Sequence, residues 1–435
     1  MASSRNQNII KYVIPTMLGS VCFFMFTIVD GIFVGHGVGT DALGAVNLVM
    51  PFVMVVNALF MLATIGGVTI VAIRLGKGDE KGANQAFMHS ITIAILISVV
   101  LCALGTLCTD ALCRLMGAND TFFEMTREYL FWYSVFIIPS GMSTALQGFC
   151  RNDGSPVLVS AAVVTGTVCN IFGDWLLIFP MQMGLAGAAI ATGVSQTVTF
   201  LIVLSHFLRR QGVLRFSRYR ADRVLFGEVA LRGLPECIAQ FATPVTTLWM
   251  NSVLIAQIGD VAVNAYSIIS YVASFSVAIF FGTAEGLQPL FGHCYGSKDE
   301  ESLHYYFKAG ILINFFGSVI INLLLLVVGG SVCQLFGTDA DTLQFTVQSM
   351  PLYAWGFIVM SFNTIISAYL YSTTRTKQAV IINTLRSLIV NTLVIRILPA
   401  VFGKGIIWFT FGIYEAIVLV VAVILVRRAE RRRLT

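Results

Sequence analysis

Long apolar runs restrict the fold of this chain more than any other feature of its sequence. Each run is at least about as long as the 20 residues that an α-helix needs to cross the hydrocarbon core of a bilayer. Only 11% of the residues are charged, whereas soluble domains carry about 25%. We therefore predict an all-α membrane protein with twelve transmembrane helices. The predicted spans are approximately residues 10–36, 45–73, 86–110, 122–149, 156–180, 184–208, 229–257, 262–292, 304–330, 343–372, 378–400 and 405–426.

Basic side chains are concentrated in alternate loops between the predicted spans. The other loops hold few basic residues beyond Arg114, Arg127 and Lys404. By the positive-inside rule, the basic loops and both termini are cytoplasmic. The formal net charge of +5 is then explained by these cytoplasmic loops, so no nucleic-acid partner is expected. The basic loop and tail residues are Arg74, Lys77, Lys81, Arg151, Arg209, Arg210, Arg215, Arg218, Arg220, Arg223, Lys298, Arg375, Lys377, Arg427, Arg428, Arg431, Arg432 and Arg433.

The sequence repeats itself at a constant offset, which is the interval from Pro15 to Pro235. Each half contains six spans, an even number, so the two repeats have the same orientation in the membrane. They are then related by a pseudo-two-fold axis along the membrane normal, which is an arrangement found in transporters. Further matches at this offset pair Gly39 with Gly259, Gly76 with Gly296, Asp79 with Asp299, Glu80 with Glu300, Phe87 with Phe307, and Leu115-Met116-Gly117 with Leu335-Phe336-Gly337.

This repeat divides the chain into two six-helix lobes. We predict an N-terminal lobe at residues 1–208 and a C-terminal lobe at residues 229–426. A basic cytoplasmic linker, residues 209–228, joins them, and a basic cytoplasmic tail follows at residues 427–435.

Two carboxylates interrupt the apolar runs of the first half, at Asp30 and Asp174. An ionisable side chain at such a depth is costly, and it usually marks a functional site. The equivalent positions of the second half hold Met250 and Val394. The fold alone therefore does not require these acids.

Asn170 and Thr192 are likewise polar residues of the first half, and their equivalents in the second half are Val390 and Gly412. At 1.5 Å per residue, Asp30, Asp174 and Thr192 all lie about 9–12 Å below the outer surface, and Asn170 lies one turn below Asp174. We predict that the four side chains line one pocket in the N-terminal lobe. The alternative is that they cap or join neighbouring helices separately.

Three further charges lie within the predicted spans of the second half. Arg386 and Glu415 are at similar depths, so we predict a buried structural ion pair between them. Alternatively, Glu415 binds substrate together with Glu285, our candidate contact for a cationic substrate. Gln288 lies next to Pro289, which removes a backbone donor and is expected to break its helix locally.

The chain resembles the multidrug and toxic compound extrusion (MATE) transporters over nearly its full length. It is most similar to the bacterial MepA-like branch, with the acidic residues of the DinF-like members. The matching stretches are Val29-Asp30-Gly31-Ile32-Phe33-Val34-Gly35, Arg74-Leu75-Gly76-Lys77-Gly78-Asp79, Gln147-Gly148, Arg151-Asn152-Asp153-Gly154-Ser155-Pro156, Asn170 with Asp174, Gly286-Leu287-Gln288-Pro289-Leu290, and Arg386, Leu398-Pro399, Gly403 and Trp408 before Glu415.

This resemblance implies a cation-coupled antiporter that exports lipophilic organic cations or other drugs across the bacterial cytoplasmic membrane. It implies a cation or proton site in the N-terminal lobe at Asp30, Asn170, Asp174 and Thr192. We expect protons as the coupling ion, with sodium as the alternative. The acidic residue that sodium-dependent members carry midway along helix 7 is absent from residues 239–249.

The remaining expectations concern substrate contacts and assembly. Gln147 joins Glu285 and Gln288 as a candidate for substrate binding. We expect a monomer in the lipid bilayer, without a metal or another cofactor.

Two other functions fit a chain of this kind less well. A flippase for lipid-linked precursors or polysaccharides is expected to have extra helices or a cationic cavity, whereas this chain carries mainly acids in its spans. A membrane enzyme would need a cluster of nucleophile, base and metal ligands. Because the nine cysteines and five histidines are scattered, we expect no enzymatic activity.

Overall fold

The structure is a computed structural model that describes residues 2–118, 122–334 and 340–434. The predicted external residues Asp120 and Asp339 lie outside these ranges, as does the repeat segment Leu335-Phe336-Gly337. The α-helices are α1 (Ala2–Gly37), α2 (Thr40–Gly76), α3 (Glu80–Leu107), α4 (Thr109–Leu115), α5 (Phe123–Val135), α6 (Ile137–Asn152), α7 (Pro156–Ile178), α8 (Gly184–Leu208), α9 (Arg223–Ala239), α10 (Ala242–Gln257), α11 (Asp260–Ser297), α12 (Glu300–Gln334), α13 (Ala340–Ser372), α14 (Thr376–Thr384), α15 (Val390–Phe402) and α16 (Thr410–Leu434). A π-helical turn, Leu385–Ile389, links α14 to α15, and a 3-10 helix, Lys404–Phe409, precedes α16.

The predicted all-α membrane fold is confirmed. Within the described residues, ten helical stretches are long and apolar enough to cross a membrane. The other two predicted spans, residues 122–149 and 229–257, each consist of two shorter helices in series.

Both interrupted spans contain a proline just after the break. α5 gives way to α6 at Phe136, and Pro139 lies in the first turn of α6. In the same way, Pro244 lies in the first turn of α10, after α9 has ended at Ala239. A proline is tolerated in the first turn because the N–H that it lacks would have no helical partner there. Proline explains where the second helix of each pair can begin.

The local helix break predicted at Gln288 and Pro289 is wrong. α11 runs without interruption from Asp260 to Ser297, with Pro289 inside it. Membrane helices tolerate an internal proline because neighbouring groups and small backbone adjustments satisfy the carbonyl that it leaves free.

The described chain forms two compact units. The first comprises Met1–Cys237 together with Gly292–Lys298, and the second comprises Ile238–Phe291 and Asp299–Thr435. The predicted lobe boundaries remain a prediction.

The start of α9 belongs to the first unit through its packing. Leu225 and Val229 are buried in the same apolar core as residues of α2, α3 and α6. α9 begins at Arg223 rather than at residue 229, because the side chain of Asp222 accepts a hydrogen bond from the Val224 N–H at 2.9 Å. An aspartate there satisfies one of the free donors of the first helical turn.

The internal repeat is visible in one close contact within the first unit. A Cβ atom at Gly76 would collide with the carbonyl oxygen of His293, and one at Gly296 would collide with the carbonyl oxygen of Ile73. Gly76 and Gly296 occupy equivalent positions of the repeat, as do Ile73 and His293. Reciprocal contacts of this kind are what a two-fold relation between equivalent segments produces.

The second unit has a core rich in aromatic side chains. α13 and α16 pack together, and the rings of Tyr353 and Phe411 stack at 4.6 Å between centroids. Phe357 and Trp408 are buried in the same core. This packing holds α16 and its carboxylate Glu415 inside the unit.

Candidate functional site

Three packed helices of the first unit position the predicted polar residues. α1 runs parallel to α7, since Ser160 Oγ donates to the Pro15 carbonyl at 2.5 Å near one end and Gly37 meets Ile178 near the other. α8 runs antiparallel to α7, with Thr199 Oγ1 donating to the Ala162 carbonyl at 3.3 Å. This arrangement brings the C-terminal part of α1 and the N-terminal part of α8 to the C-terminal part of α7.

Asp30 of α1 and Asp174 of α7 meet in that stretch. The two carboxyl groups are close neighbours and interact with one another. Asp174 is completely buried, and no described group donates a hydrogen bond to either of its oxygens or to Asp30 Oδ1. Two carboxylates repel one another at such a distance, and neither can donate, so a single proton shared between them would remove both problems.

Asn170 and Thr192 lie beside this pair, on α7 and α8. Asn170 Nδ2 donates to Thr192 Oγ1 at 3.3 Å, while the Asn170 Oδ1 atom is buried without a hydrogen-bond donor among the described residues. Asn170 is one helical turn from Asp174, as the sequence predicts. The structure therefore brings the four predicted residues into one cluster, which we call the carboxyl site.

An apolar layer covers the carboxyl site on the side of the predicted outer surface. It contains Val34, Ile178 and Ala188, each of which is one turn along its helix from Asp30, Asp174 or Thr192. These three side chains share one buried core. Such a layer limits the access of water from that side and thereby strengthens the electrostatic interactions within the site.

Sequence reasoning missed one neighbour of the carboxyl site. Tyr129 of α5 is buried and interacts electrostatically with both Asp30 and Asp174. Its equivalent in the second repeat is Ser349. The comparison of the two halves that identified the acids would have identified this tyrosine as well.

The carboxyl site offers oxygen atoms of the kind that hard cations prefer. They come from Asp30, Asp174, Asn170 and Thr192. The described residues contain no group of three or more histidine, cysteine, aspartate or glutamate side chains with the geometry of a metal site. Carboxyl groups can exchange a proton, and oxygen atoms of this kind can also surround a cation.

A second buried polar cluster lies in the second unit. Arg386 Nε donates to Glu415 Oε1 at 2.7 Å, and their side chains are only 8% and 2% exposed. Asn363 Nδ2 donates to Glu415 Oε2 at 2.7 Å and to the Glu415 carbonyl at 2.9 Å. Arg386 lies in the π-helical turn Leu385–Ile389. The predicted partners are therefore in contact, and both oxygens of the glutamate are occupied.

The three candidates for substrate binding lie on α6 and α11. In the first unit, Gln147 is half-buried and donates to Ser143 Oγ at 3.0 Å. In the second unit, Glu285 is half-buried and Gln288 is buried on α11. Their role in binding substrate stays a prediction.

Comparison with known proteins gives the family of the chain. The MatE family model matches residues 15–176 and 235–396, two segments whose limits are separated by the offset of the internal repeat. The chain is 24% identical over 430 residues to the multidrug export protein MepA of Staphylococcus saprophyticus, covering 98% of this chain and 94% of MepA. It is also 24% identical to the probable multidrug resistance protein YoeA of Bacillus subtilis, covering 82% of this chain and 79% of YoeA.

Solved structures have the same fold. An outward-facing multidrug resistance MATE family transporter superimposes with a TM-score of 0.93 at 22% identity, covering 99% of this chain and 97% of that one. A MOP superfamily transporter from Pyrococcus furiosus superimposes with a TM-score of 0.91 at 22% identity, covering 98% and 96% of the two chains. Since the family model matches both halves, this chain belongs to the MatE family of MATE transporters.

Proposed function

We propose that this protein exports lipophilic organic cations from the bacterial cytosol in exchange for protons. The observation that carries the proposal is the pairing of half-buried Asp30 with fully buried Asp174, three of whose four carboxyl oxygens are buried without a hydrogen-bond donor among the described residues. The names of the relatives, which are multidrug export and resistance proteins, support drugs as the class of cargo.

In this proposal the carboxyl site has two states. With one shared proton, Asp30 and Asp174 are joined by a hydrogen bond, and α1 is held against α7. Without it, two negative charges repel one another across the contact between the helices. Protonation therefore changes the packing of α1, and it favours the conformation that releases a cationic substrate to the outside. Coupling requires only that the two states differ in their affinity for substrate.

Linkage makes this relation reciprocal. If binding of a proton weakens the binding of substrate, binding of substrate must promote loss of the proton by the same factor. Asn170 and Thr192 would then position the carboxyl groups without titrating themselves, since neither an amide nor an alcohol loses a proton in this range. Sodium is the alternative coupling ion, because the same oxygens can surround it.

The choice of coupling ion is tested with purified protein in proteoliposomes loaded with a fluorescent organic cation such as ethidium. We expect an imposed proton gradient alone to drive ethidium transport, and an equal sodium gradient at constant pH to have no effect. Empty vesicles and vesicles with a protonophore serve as controls. Transport that is driven only by the sodium gradient would show that the coupling ion is sodium and not the proton. Transport of ethidium down its own gradient, insensitive to either ion, would exclude antiport.

We further propose that the basic loops face the cytosol, in the cytoplasmic membrane of a bacterium. Arg215 and Lys404 are both exposed, and they lie in loops that the positive-inside rule assigns to opposite sides. In a background without native cysteines, an impermeant thiol reagent is expected to label Lys404→Cys but not Arg215→Cys in intact cells. Labelling of Arg215→Cys alone would show that the protein has the opposite orientation in the membrane.

A further inference from the structure

The segment between α8 and α9 is a fixed part of the first unit. Residues 209–222 carry five arginines and one acid, and we call this segment the basic strap. Its middle is buried at Leu214, which is fully enclosed in the core of the unit. A flexible linker of this composition would expose such a residue to water.

The middle of the basic strap is fastened by Asp153, the residue that follows α6. Asp153 Oδ1 accepts hydrogen bonds from the N–H groups of Val213 and Leu214 at 2.8 and 3.3 Å. Its other oxygen, Oδ2, contacts His206 Nε2 of α8 at 2.9 Å. A Cβ atom at Gly212 would collide with this carboxylate, so only glycine allows the backbone to approach so closely.

The first turn of α3 holds the next residues of the strap. Asn84 Nδ2 donates to the Val213 carbonyl at 3.1 Å, and Asn84 Oδ1 accepts from the Arg215 N–H at 2.6 Å. Phe216 packs between Phe87 and Phe207, with ring centroids 5.4 and 5.8 Å away. The backbone on both sides of Arg215 is therefore fixed to the unit.

Side chains further along α3 hold the far end. The Tyr219 hydroxyl is 2.5 Å from Thr92 Oγ1, and its ring packs against His89. The Asp222 N–H donates to His89 Nε2 at 2.9 Å. Hydrogen bonds and ring contacts thus hold the strap to the unit from Val213 to Asp222.

The arginines point away from these attachments. All five, Arg209, Arg210, Arg215, Arg218 and Arg220, are exposed. None of them forms an ion pair with a described residue. Anchored residues therefore alternate with free guanidinium groups along the strap.

The strap also lies where a membrane helix ends and another begins. Exposed apolar side chains flank it, with Leu208 at the end of α8 and Val224 at the start of α9 exposed by 66% and 76%. Exposed apolar side chains beside cationic ones are typical of the boundary between acyl chains and head groups. Basic residues next to a membrane helix on the cytoplasmic side attract anionic lipid.

We propose that the basic strap is a preorganised binding surface for the head groups of anionic phospholipids in the inner leaflet. A guanidinium group binds a phosphate through paired, charge-assisted hydrogen bonds. Because the backbone of the strap is already ordered by Asn84, Asp153 and His89, binding does not pay for ordering it. This proposal does not depend on the identity of the coupling ion or the cargo, but the choice of the inner leaflet rests on the orientation proposed above.

The test measures binding of fluorescently labelled phosphatidylglycerol and phosphatidylcholine to the purified protein in detergent micelles. The wild type is expected to prefer phosphatidylglycerol by about tenfold or more, since each basic residue near an anionic surface contributes about fivefold. The triple variant Arg215→Gln, Arg218→Gln, Arg220→Gln is expected to lose this preference. Its melting temperature without lipid should stay at that of the wild type, because the three side chains make no contact that the fold needs.

Two matched variants separate the strap from net charge alone. The triple variant Lys77→Gln, Lys81→Gln, Lys298→Gln removes the same charge from exposed positions in other basic loops, and it should change the preference less than about twofold. Asn84→Ala keeps all five arginines but loosens the strap, so it should lower the preference. An equal loss in both triple variants, or no preference in the wild type, would overturn the proposal. A fully retained preference in Asn84→Ala would overturn the claim that the strap is preorganised.

Discussion

Replacing either acid of the carboxyl site is expected to abolish proton-driven transport while leaving the protein folded. Asp30→Asn and Asp174→Asn preserve the shape of each side chain but remove one titrating group from the pair. With one carboxyl group replaced by an amide, the amide can donate a hydrogen bond to the remaining carboxylate, so the pair no longer needs a shared proton and its charge no longer couples to transport. Transport of ethidium under a proton gradient should then fall to the level of empty vesicles.

The effect on folding distinguishes this role from a structural one. Asp174 is buried, and neither of its oxygens receives a hydrogen bond from a described group, so an amide at this position relieves repulsion and can donate to Asp30. The melting temperature of Asp174→Asn in detergent should therefore equal or exceed that of the wild type. Asp110→Asn is the matched control, because Asp110 is 64% exposed in a surface pair with Arg127. Full transport by Asp174→Asn would contradict the assignment.

Removing one member of the buried ion pair in the second unit is expected to destabilise the protein strongly, whereas removing both is not. Arg386→Met or Glu415→Leu alone leaves an unpaired charge in a site where both side chains are nearly inaccessible. Such single changes typically cost about 3–5 kcal/mol of unfolding free energy, and replacing both charges by apolar groups is often close to neutral. We therefore expect low melting temperatures for both single variants and substantial recovery in the double variant.

The hydrogen bonds of Asn363 determine how fully the double variant regains the stability of the wild type. In the double variant Asn363 loses its bond to Glu415 Oε2 but keeps its bond to the Glu415 carbonyl, so the remaining deficit should be about 1 kcal/mol. Additive losses in the double variant would contradict a structural pair. If Glu415→Leu has normal stability but no transport, Glu415 would instead be a residue that binds substrate.

The carboxyl site could be predicted from the sequence because two simple rules converge on it. A lone acid in an apolar run is costly, and the repeat separates what the fold requires from what it does not. Because an α-helix has a constant rise per residue, Asp30, Asp174 and Thr192 could be placed at one depth in the membrane. Tyr129 was missed because a tyrosine in a membrane helix carries no such penalty, and its position relative to α1 and α7 depends on the packing of α5.

Features that depend on interactions distant in sequence could not be predicted in this way. Pro139 and Pro289 are the same residue type inside predicted spans, yet one follows a helix break and the other does not. The basic strap was predicted only as a linker, because its order comes from Asn84, Asp153 and His89 on other helices. Composition describes the strap as polar and charged, and only the fold provides its attachments.

The central claim is that substrate and proton compete through the carboxyl site, and proton release on substrate binding tests it most directly. Purified protein in weakly buffered detergent solution, with a pH-sensitive dye, is titrated with ethidium. We expect the wild type to release about one proton for each ethidium bound near the pH at which the pair shares a proton. Asp30→Asn and Asp174→Asn should release none, and Asp110→Asn should release as much as the wild type. Ethidium binding to the wild type without proton release, or equal release by the Asp30 and Asp174 variants, would contradict the claim.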